Sequence, residues 1–414
     1  LNCAHPEKPK PKQTKVFCFF FSKKKCFLSA FLTAPRPKQT SEWSTRPRRE
    51  ILHHEGRLKM ETPTLAPPRL AQRGRAAISF QAGIGIVSGR LMAAAERVLA
   101  DRGVTADTMP DDMDARHALV AQTIGDLPAF KLTNLLSEWR SKSHGAVALD
   151  AFEEQRRELL PALQALQSGA SRVENEPAPA LPTYWADTEF HRTEGGWDSS
   201  DYNGYVHGEI LHKLMLAKMF PGDIFAQRRA AASAAPRRDY ASILDMGASS
   251  GHYTVALAQV FPQARITGID LSPRMLEHAA RSGNARGQAW QLHVRPAEDT
   301  GFAAESFDFV TSYNLLHELP PPVIEAVFAE AFRLLAPGGD ILMSDVPRFA
   351  DLDRVTAWRF DHIAKWGGEP FWRASASMDL AAAAERAGFI GVTAGGIGPA
   401  PTRHPYLVQG RKPG

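Results

Sequence analysis

The sequence predicts an α/β protein: a doubly wound sheet fills the second half of the chain, and an all-α domain precedes it. Three observations predict this. Beyond Pro236, short apolar runs of strand length alternate with amphipathic runs of helix length. The first of these strands ends in a glycine-bearing turn, Gly247-Ala248-Ser249-Ser250-Gly251, which leads into a helix. Residues 70–168, by contrast, show helical spacing alone.

Residues 1–59 differ in composition from everything that follows. They hold 14 Lys and Arg against four acidic residues, all three cysteines (Cys3, Cys18, Cys26), and runs of Phe and Lys. The first methionine is Met60, followed by a Pro-rich polar lead-in. The segment 1–59 therefore reads as a disordered or non-native extension, with organelle targeting as the alternative because residues 8–41 lack acidic groups. The remaining chain carries 35 basic and 41 acidic residues. Its net acidity argues against a nucleic-acid partner, although the whole-chain charge is +4. With 44% hydrophobic and 23% charged residues among 414, wholesale disorder, collagen and coiled coil are excluded. No uninterrupted apolar stretch approaches the roughly 20 residues of a bilayer span, so a soluble, cytoplasmic protein without a membrane span is expected. The absence of cysteine after Met60 suits a reducing compartment. Oligomeric state is not legible.

A helical domain is expected over residues 60–168. Ile78, Ala82, Ile86, Leu91, Ala95 and Val98 recur at helical spacing over 76–100, with Asp101-Arg102-Gly103 as the stop. Further helices are expected at about 113–124, 129–139 and 146–166. Residues 169–235 read as a linker and an aromatic cap. Gly, Ser, Pro and Ala dominate 168–182; Tyr184, Trp185, Phe190, His191, Trp197, Tyr202, Tyr205 and His207 follow; helices come at about 208–220 and 224–235. In residues 236–414, strands are expected at 241–246, 265–270, 291–294, 307–312, 340–345, 389–393 and 406–410. Helices are expected at 252–261, 273–285, 322–335 and 378–387, with a broken stretch over 346–374.

The chemistry concentrates at the first turn. Glycines there let a ligand approach the backbone, and the following helix start offers free N–H groups. A dinucleotide fingerprint needs glycines at 247, 249 and 252, and only Gly247 is present, so a nicotinamide oxidoreductase is a secondary reading. Taken as Asp-x-Gly-x-small-x-Gly, with Asp245, Gly247, Ser249 and Gly251, the turn resembles motif I of the class I S-adenosylmethionine-dependent methyltransferases. Four further stretches resemble that family in order: Ile266-Thr267-Gly268-Ile269-Asp270, Phe307-Asp308-Phe309-Val310 through Asn314-Leu315-Leu316-His317-Glu318, Leu334-Leu335-Ala336-Pro337-Gly338-Gly339, and the closing Tyr406–Pro413. The likeness spans about 241–413 and is nearest to small-molecule members with a ubiquinone/menaquinone C-methyltransferase-like core.

The resemblance implies a Rossmann-like sheet of seven strands, the last antiparallel, S-adenosylmethionine as cofactor, and methyl transfer to an oxygen or carbon of a small molecule. The alternative is a catalytically silent S-adenosylmethionine-binding partner protein. By the same resemblance Asp270 takes the ribose hydroxyls, while Asp245, Gly247, Ser249, Gly251, Leu271, Met275 and Asn314 contribute to the cofactor site. Adenine recognition falls to the backbone near Ala297 and to Glu298 or Asp299, because Pro296 stands where the family often has the Asp that meets the adenine amino group. The sulfonium is already activated, so the protein mainly aligns an acceptor and excludes water. A general base would assist a hydroxyl or acidic carbon, and His317 is the candidate. A backbone-bonded helix-start histidine is the bland alternative for it. Tyr184, Trp185, His191, Tyr205 and His207 are expected to cover the substrate, with Trp366 on the opposite wall beside Asp361, His362 and Trp372. Packing of the cap onto the sheet would explain the same aromatic residues. No metal is expected.

Overall fold

The computed structural model describes residues 68–177, 179–192, 196–219 and 223–414. The readings of residues 1–59, with all three cysteines, lie outside the described residues.

Strands that are apolar on successive positions must be covered on both faces, and these are. Ile243, Phe309 and Leu342 point into one core, under the helices Ile224–Ser233, His252–Val260 and Pro273–Asn284. Their neighbours Leu244, Val310, Ile341 and Met343 point into the other, under the helices Pro321–Leu334 and Leu380–Arg386. The strands are β1 (Arg172–Val173), β2 (Ser242–Met246), β3 (Arg265–Asp270), β4 (Gln291–Val294), β5 (Phe307–Tyr313), β6 (Leu335–Asp345), β7 (Ile390–Gly396) and β8 (Tyr406–Arg411). Their order is β1-β4-β3-β2-β5-β6-β8-β7. All neighbours from β1 to β6 are parallel, and β8 runs antiparallel to both β6 and β7. This is the doubly wound, Rossmann-like sheet with a reversed last strand. The two-residue edge strand β1, inside the expected linker, is an addition. Chain order turns back between β2 and β5, so a crevice opens at their carboxyl ends.

The helical layer comprises α1 (Gln72–Asp101), α2 (Met113–Ile124), α3 (Pro128–Glu153) and α4 (Arg156–Ala165). Asp112 caps α2 by accepting from the Ala115 N–H at 2.8 Å, and Pro128 opens α3 where a missing N–H costs nothing. One core joins α1, α3 and α4 to the π-type helix Val206–Leu216 through Ile78, Phe152, Leu163 and Ile210. A second core gathers Leu99, Val120 and Phe130 around Trp358, which comes from beyond β6. By length and composition α1 is apolar enough to cross a membrane, at odds with the expectation of no such segment. It contributes Ile78, Ala82, Met92, Ala95 and Leu99 to the two cores, as a core helix does.

Two expected boundaries shift. Helix α3 runs unbroken through Ser141-Lys142-Ser143-His144-Gly145, where a gap was expected. The hydroxyls there donate back along the helix, Ser143 Oγ to Trp139 O at 2.7 Å and Ser141 Oγ to Glu138 O at 3.0 Å, so they do not end it. The break comes instead at Gln155, with φ −122° and ψ 9°. The stretch 346–374 holds a regular helix, Arg354–Gly367, started by the Asp353 carboxylate and stopped by Gly368 in the left-handed conformation.

Candidate active site

The turn after β2 takes a path that favours glycine. Gly247 has φ +74°, and a Cβ there would lie 3.0 Å from Leu315 Cδ1. Gly251 has φ +83°, and a Cβ would meet the Ala279 backbone at 3.0 Å. Between them Ser249 is left-handed without being glycine, and its N–H donates to Asp270 Oδ2 at 2.9 Å. The other oxygen, Oδ1, accepts from the Ser272 N–H at 2.9 Å. The end of β3 is thereby tied to the turn after β2. Burial pushes the Asp270 carboxyl up to about 6, against the pull of these N–H groups.

Two strand ends leave buried oxygens without a hydrogen bond. Asp245 Oδ2 accepts from Thr254 Oγ1 at 2.6 Å while Oδ1 has no partner among the described residues, and burial pushes this carboxyl up to about 7. Asn314 sits at φ +58° after β5, its N–H given to Ser344 O at 2.7 Å and its Oδ1 unpartnered. Such atoms cost free energy unless a ligand or water satisfies them. Leu271, Met275 and Ala297 are buried, Met275 fully inside. Glu298 accepts from the Tyr184 hydroxyl at 2.8 and 2.9 Å through its two oxygens. Tyr184, expected as substrate cover, thus stands with the expected adenine residues.

His317 is buried, and its Nδ1 lies 3.0 Å from Asp345 Oδ1 at the end of β6. Its Nε2 lies 3.5 Å from Glu318 Oε1, and its ring is 5.0 Å from Trp372. Burial alone would lower its pKa, but the Asp345 charge and hydrogen bond, with help from Glu318, hold it well above the usual histidine value. His191 lies between two glutamates, Nε2 at 3.0 Å from Glu318 Oε1 and Nδ1 at 3.0 Å from Glu369 Oε1. Burial opposes its protonation too, and the two carboxylates prevail. One ligand atom from each of these three residues falls within 4.8 Å of the others, a spacing compatible with a cation. Each ring nitrogen meets a different carboxylate, however, which is how an imidazolium bridges two anions.

The remaining expected cover divides. His207 packs edge-on to Trp197 and His212 at 4.7 and 4.4 Å, and Trp185 packs on Phe190 at 5.5 Å. Tyr205 is buried in the helical core against Phe152 and His278, as packing of the cap predicts. Trp366 lies near His362, and its carbonyl accepts from Ser141 Oγ of α3 at 3.0 Å. Asp361 and His362 also turn to the helical layer, Asp361 to His117 at 2.6 Å and His362 to Asn134 at 2.7 Å.

Residues 243–339 match the family described as a methyltransferase domain, a span that starts in β2, takes in the turn and Asp270, and ends inside β6. This segment is a methyltransferase domain. The resemblance read from its motifs is borne out. Over 116 residues the chain is 34% identical to the malonyl-[acyl-carrier protein] O-methyltransferase of Hahella chejuensis, covering 28% of this chain and 40% of that one. Over 103 residues it is 33% identical to a ubiquinone/menaquinone biosynthesis C-methyltransferase of Desulfotalea psychrophila, covering 25% and 40%. The arsenite methyltransferase of Mus musculus is 29% identical over 168 residues, covering 37% and 42%. The chain thus spans about two fifths of the length of these curated relatives. A solved structure of a Nostoc punctiforme protein titled a putative O-methyltransferase overlays with a TM-score of 0.42 at 18% identity, covering 68% of this chain and 72% of that one.

Sequence reasoning missed several residues around the methyltransferase domain. Asp345 ends β6 as Asp245 and Asp270 end or nearly end β2 and β3, and an acidic residue at a strand's carboxyl end was the signal available. Asp198, whose Oδ1 accepts from Ser272 Oγ at 2.6 Å, and Glu369 carried no local signal.

Proposed function

We propose that this chain transfers the methyl group of S-adenosylmethionine to an oxygen or carbon of a small molecule in the cytoplasm. The observation that supports this most is the Asp270 carboxylate beside the left-handed Gly247–Gly251 turn, inside a segment matched to methyltransferases. The residues present fit the cofactor. Asp245 Oδ1 and Asn314 Oδ1 are buried oxygens lacking donors, and the turn keeps its backbone clear of side chains at Gly247 and Gly251. Asp270 would hold the ribose hydroxyls, Glu298 and the Ala297 backbone the adenine, and Asp245 and Asn314 the donors of the amino-acid end. When bound, S-adenosylmethionine supplies a methyl group already activated by its sulfonium.

The protein's own task is then alignment and, for a protonated acceptor, removal of a proton. His317 is suited to take that proton at Nε2 once it is neutral, because Asp345 fixes the ring through Nδ1 and stabilises the imidazolium that results. Trp197, His207 and Trp372 would shield the reaction from water. Transfer of labelled methyl from S-adenosylmethionine to a metabolite panel tests the reading: methylated product is expected, and cofactor binding without turnover on any acceptor contradicts it.

A further inference from the structure

Among the described residues, one cation near the crevice, Arg228, has no carboxylate within ion-pair distance, although the charge of Asp223 reaches it. Arg228, in the helix Ile224–Ser233, donates from Nη1 to Ile224 O at 2.9 Å, and its guanidinium lies 4.8 Å from the Tyr313 ring centre and 5.7 Å from that of Phe225. No carboxylate forms an ion pair with it among the described residues, whereas the next residue, Arg229, has Asp223 at 3.6 Å. A guanidinium cannot shed its charge as a buried lysine can, so leaving it uncompensated is costly unless an anion arrives.

The surroundings are basic as well. Four imidazoles lie near enough to feel its charge: burial first, with Arg228 among the further causes, holds His212 at about 3 and His404 at about 4, and keeps His207 and His252 well below the usual value. Neutral imidazoles can donate to an anion without adding charge. His207 Nδ1 and His252 Nε2 are buried and have no hydrogen-bond partner among the described residues. A cavity of about 230 Å³ lined by Phe225 and His252 lies beside this group; Arg228 and His207 do not line it, and of its cations Lys213 pairs with Glu209 at 2.6 Å and Arg229 with Asp223 at 3.6 Å.

The group borders the cofactor turn, with His252 directly after Gly251 and Tyr313 directly before Asn314, and the guanidinium reaches it from the β5 side. The turn and Asp270 belong to β2 and β3, whereas Arg228 stacks on Tyr313 at the end of β5, and His404 precedes β8, across the switch in strand order. We infer that Arg228 is the docking group for an anionic substituent, carboxylate or phosphate, of the methyl acceptor, with His207 Nδ1 and His252 Nε2 as supplementary donors. The inference rests on the methyl-transfer reading and gives it a substrate class.

The test titrates the protein saturated with S-adenosylhomocysteine with benzoate and with inorganic phosphate, using neutral benzamide as control. The wild type is expected to bind at least one of the anions, and Arg228→Met to lose about tenfold or more of that affinity, the scale of a charge-assisted hydrogen bond. S-adenosylhomocysteine affinity should stay within about twofold in the variant. Arg228→Lys, which keeps the charge without the planar fork, should fall between, and it serves as the test if the methionine variant does not fold. Anion binding absent from the wild type, or unchanged in Arg228→Met, overturns the proposal. So does loss of S-adenosylhomocysteine affinity with 5′-methylthioadenosine binding unchanged, since the guanidinium would then serve the cofactor's own carboxylate. A wild type that binds no S-adenosylhomocysteine defeats the methyl-transfer reading instead, and the same titration without cofactor still reports whether anion binding depends on Arg228.

Discussion

Two backbone N–H groups already hold the Asp270 carboxylate, and burial still pushes it up to about 6. Ribose hydroxyls need the ionised form as acceptor, so cofactor affinity is expected to fall as pH drops through about 6. Asp270→Ala should weaken S-adenosylhomocysteine binding by about 1 to 3 kcal/mol, and Asp270→Asn should flatten the pH dependence; calorimetry at several pH values reads both. His317 acts in the same direction. Its pKa is raised, so the neutral base appears only as pH rises through that value, and turnover should climb on the alkaline side of the usual histidine range. His317→Ala should cut turnover by about 10²- to 10⁴-fold with cofactor affinity nearly unchanged. Asp345→Asn removes the charge that favours the imidazolium, so the rising limb of the rate profile should move to lower pH. A stable His317→Ala protein with a near-normal rate would leave alignment as the whole mechanism. Asp270 and the turn were legible because each role follows from residues within a few positions. Arg228 and Glu369 were not, since their meaning lies in which partners they meet or lack across the fold.

Among elements, the join of β2 to the helix His252–Val260 is the most constrained. Gly251→Ala puts a side chain at φ +83° and against the Ala279 backbone, so a loss of about 1 to 2 kcal/mol from backbone strain alone is expected in denaturant unfolding. The helix Arg354–Gly367 delivers Trp358, fully buried, into a core with Leu99, Val120 and Phe130. Trp358→Ala should cost about 3 to 5 kcal/mol, measured the same way. That helix escaped the sequence reading because its buried face includes Asp361 and His362. Polar residues on a core face look like a loop until their partners are known, and those partners, His117 and Asn134, lie 244 and 228 residues away. The strands of the sheet were legible for the converse reason. Ile243 and Leu244, like Phe309 and Val310, serve opposite faces of a sheet covered on both sides, and continuous apolar runs between turns announce that locally.

For the whole molecule, the segment at His191, the loop after β5 and the region after β6 meet in a chain of charges, partly buried at Glu369, His191 and Glu318 and buried at His317 and Asp345. Both histidines have folded pKa values above their unfolded ones, so the stability they contribute is full at low pH and is lost as pH rises through the raised values. The melting temperature should therefore decline on the alkaline side of the usual histidine range, and His191→Gln should shrink that decline. Methyl transfer, the role of His317 and anion docking at Arg228 all depend on S-adenosylmethionine being the cofactor. Titrating the wild-type protein in parallel with S-adenosylhomocysteine and NAD tests that assignment most directly. Saturable binding of S-adenosylhomocysteine, with none of NAD, is the predicted result; binding of NAD, or of neither, would contradict it.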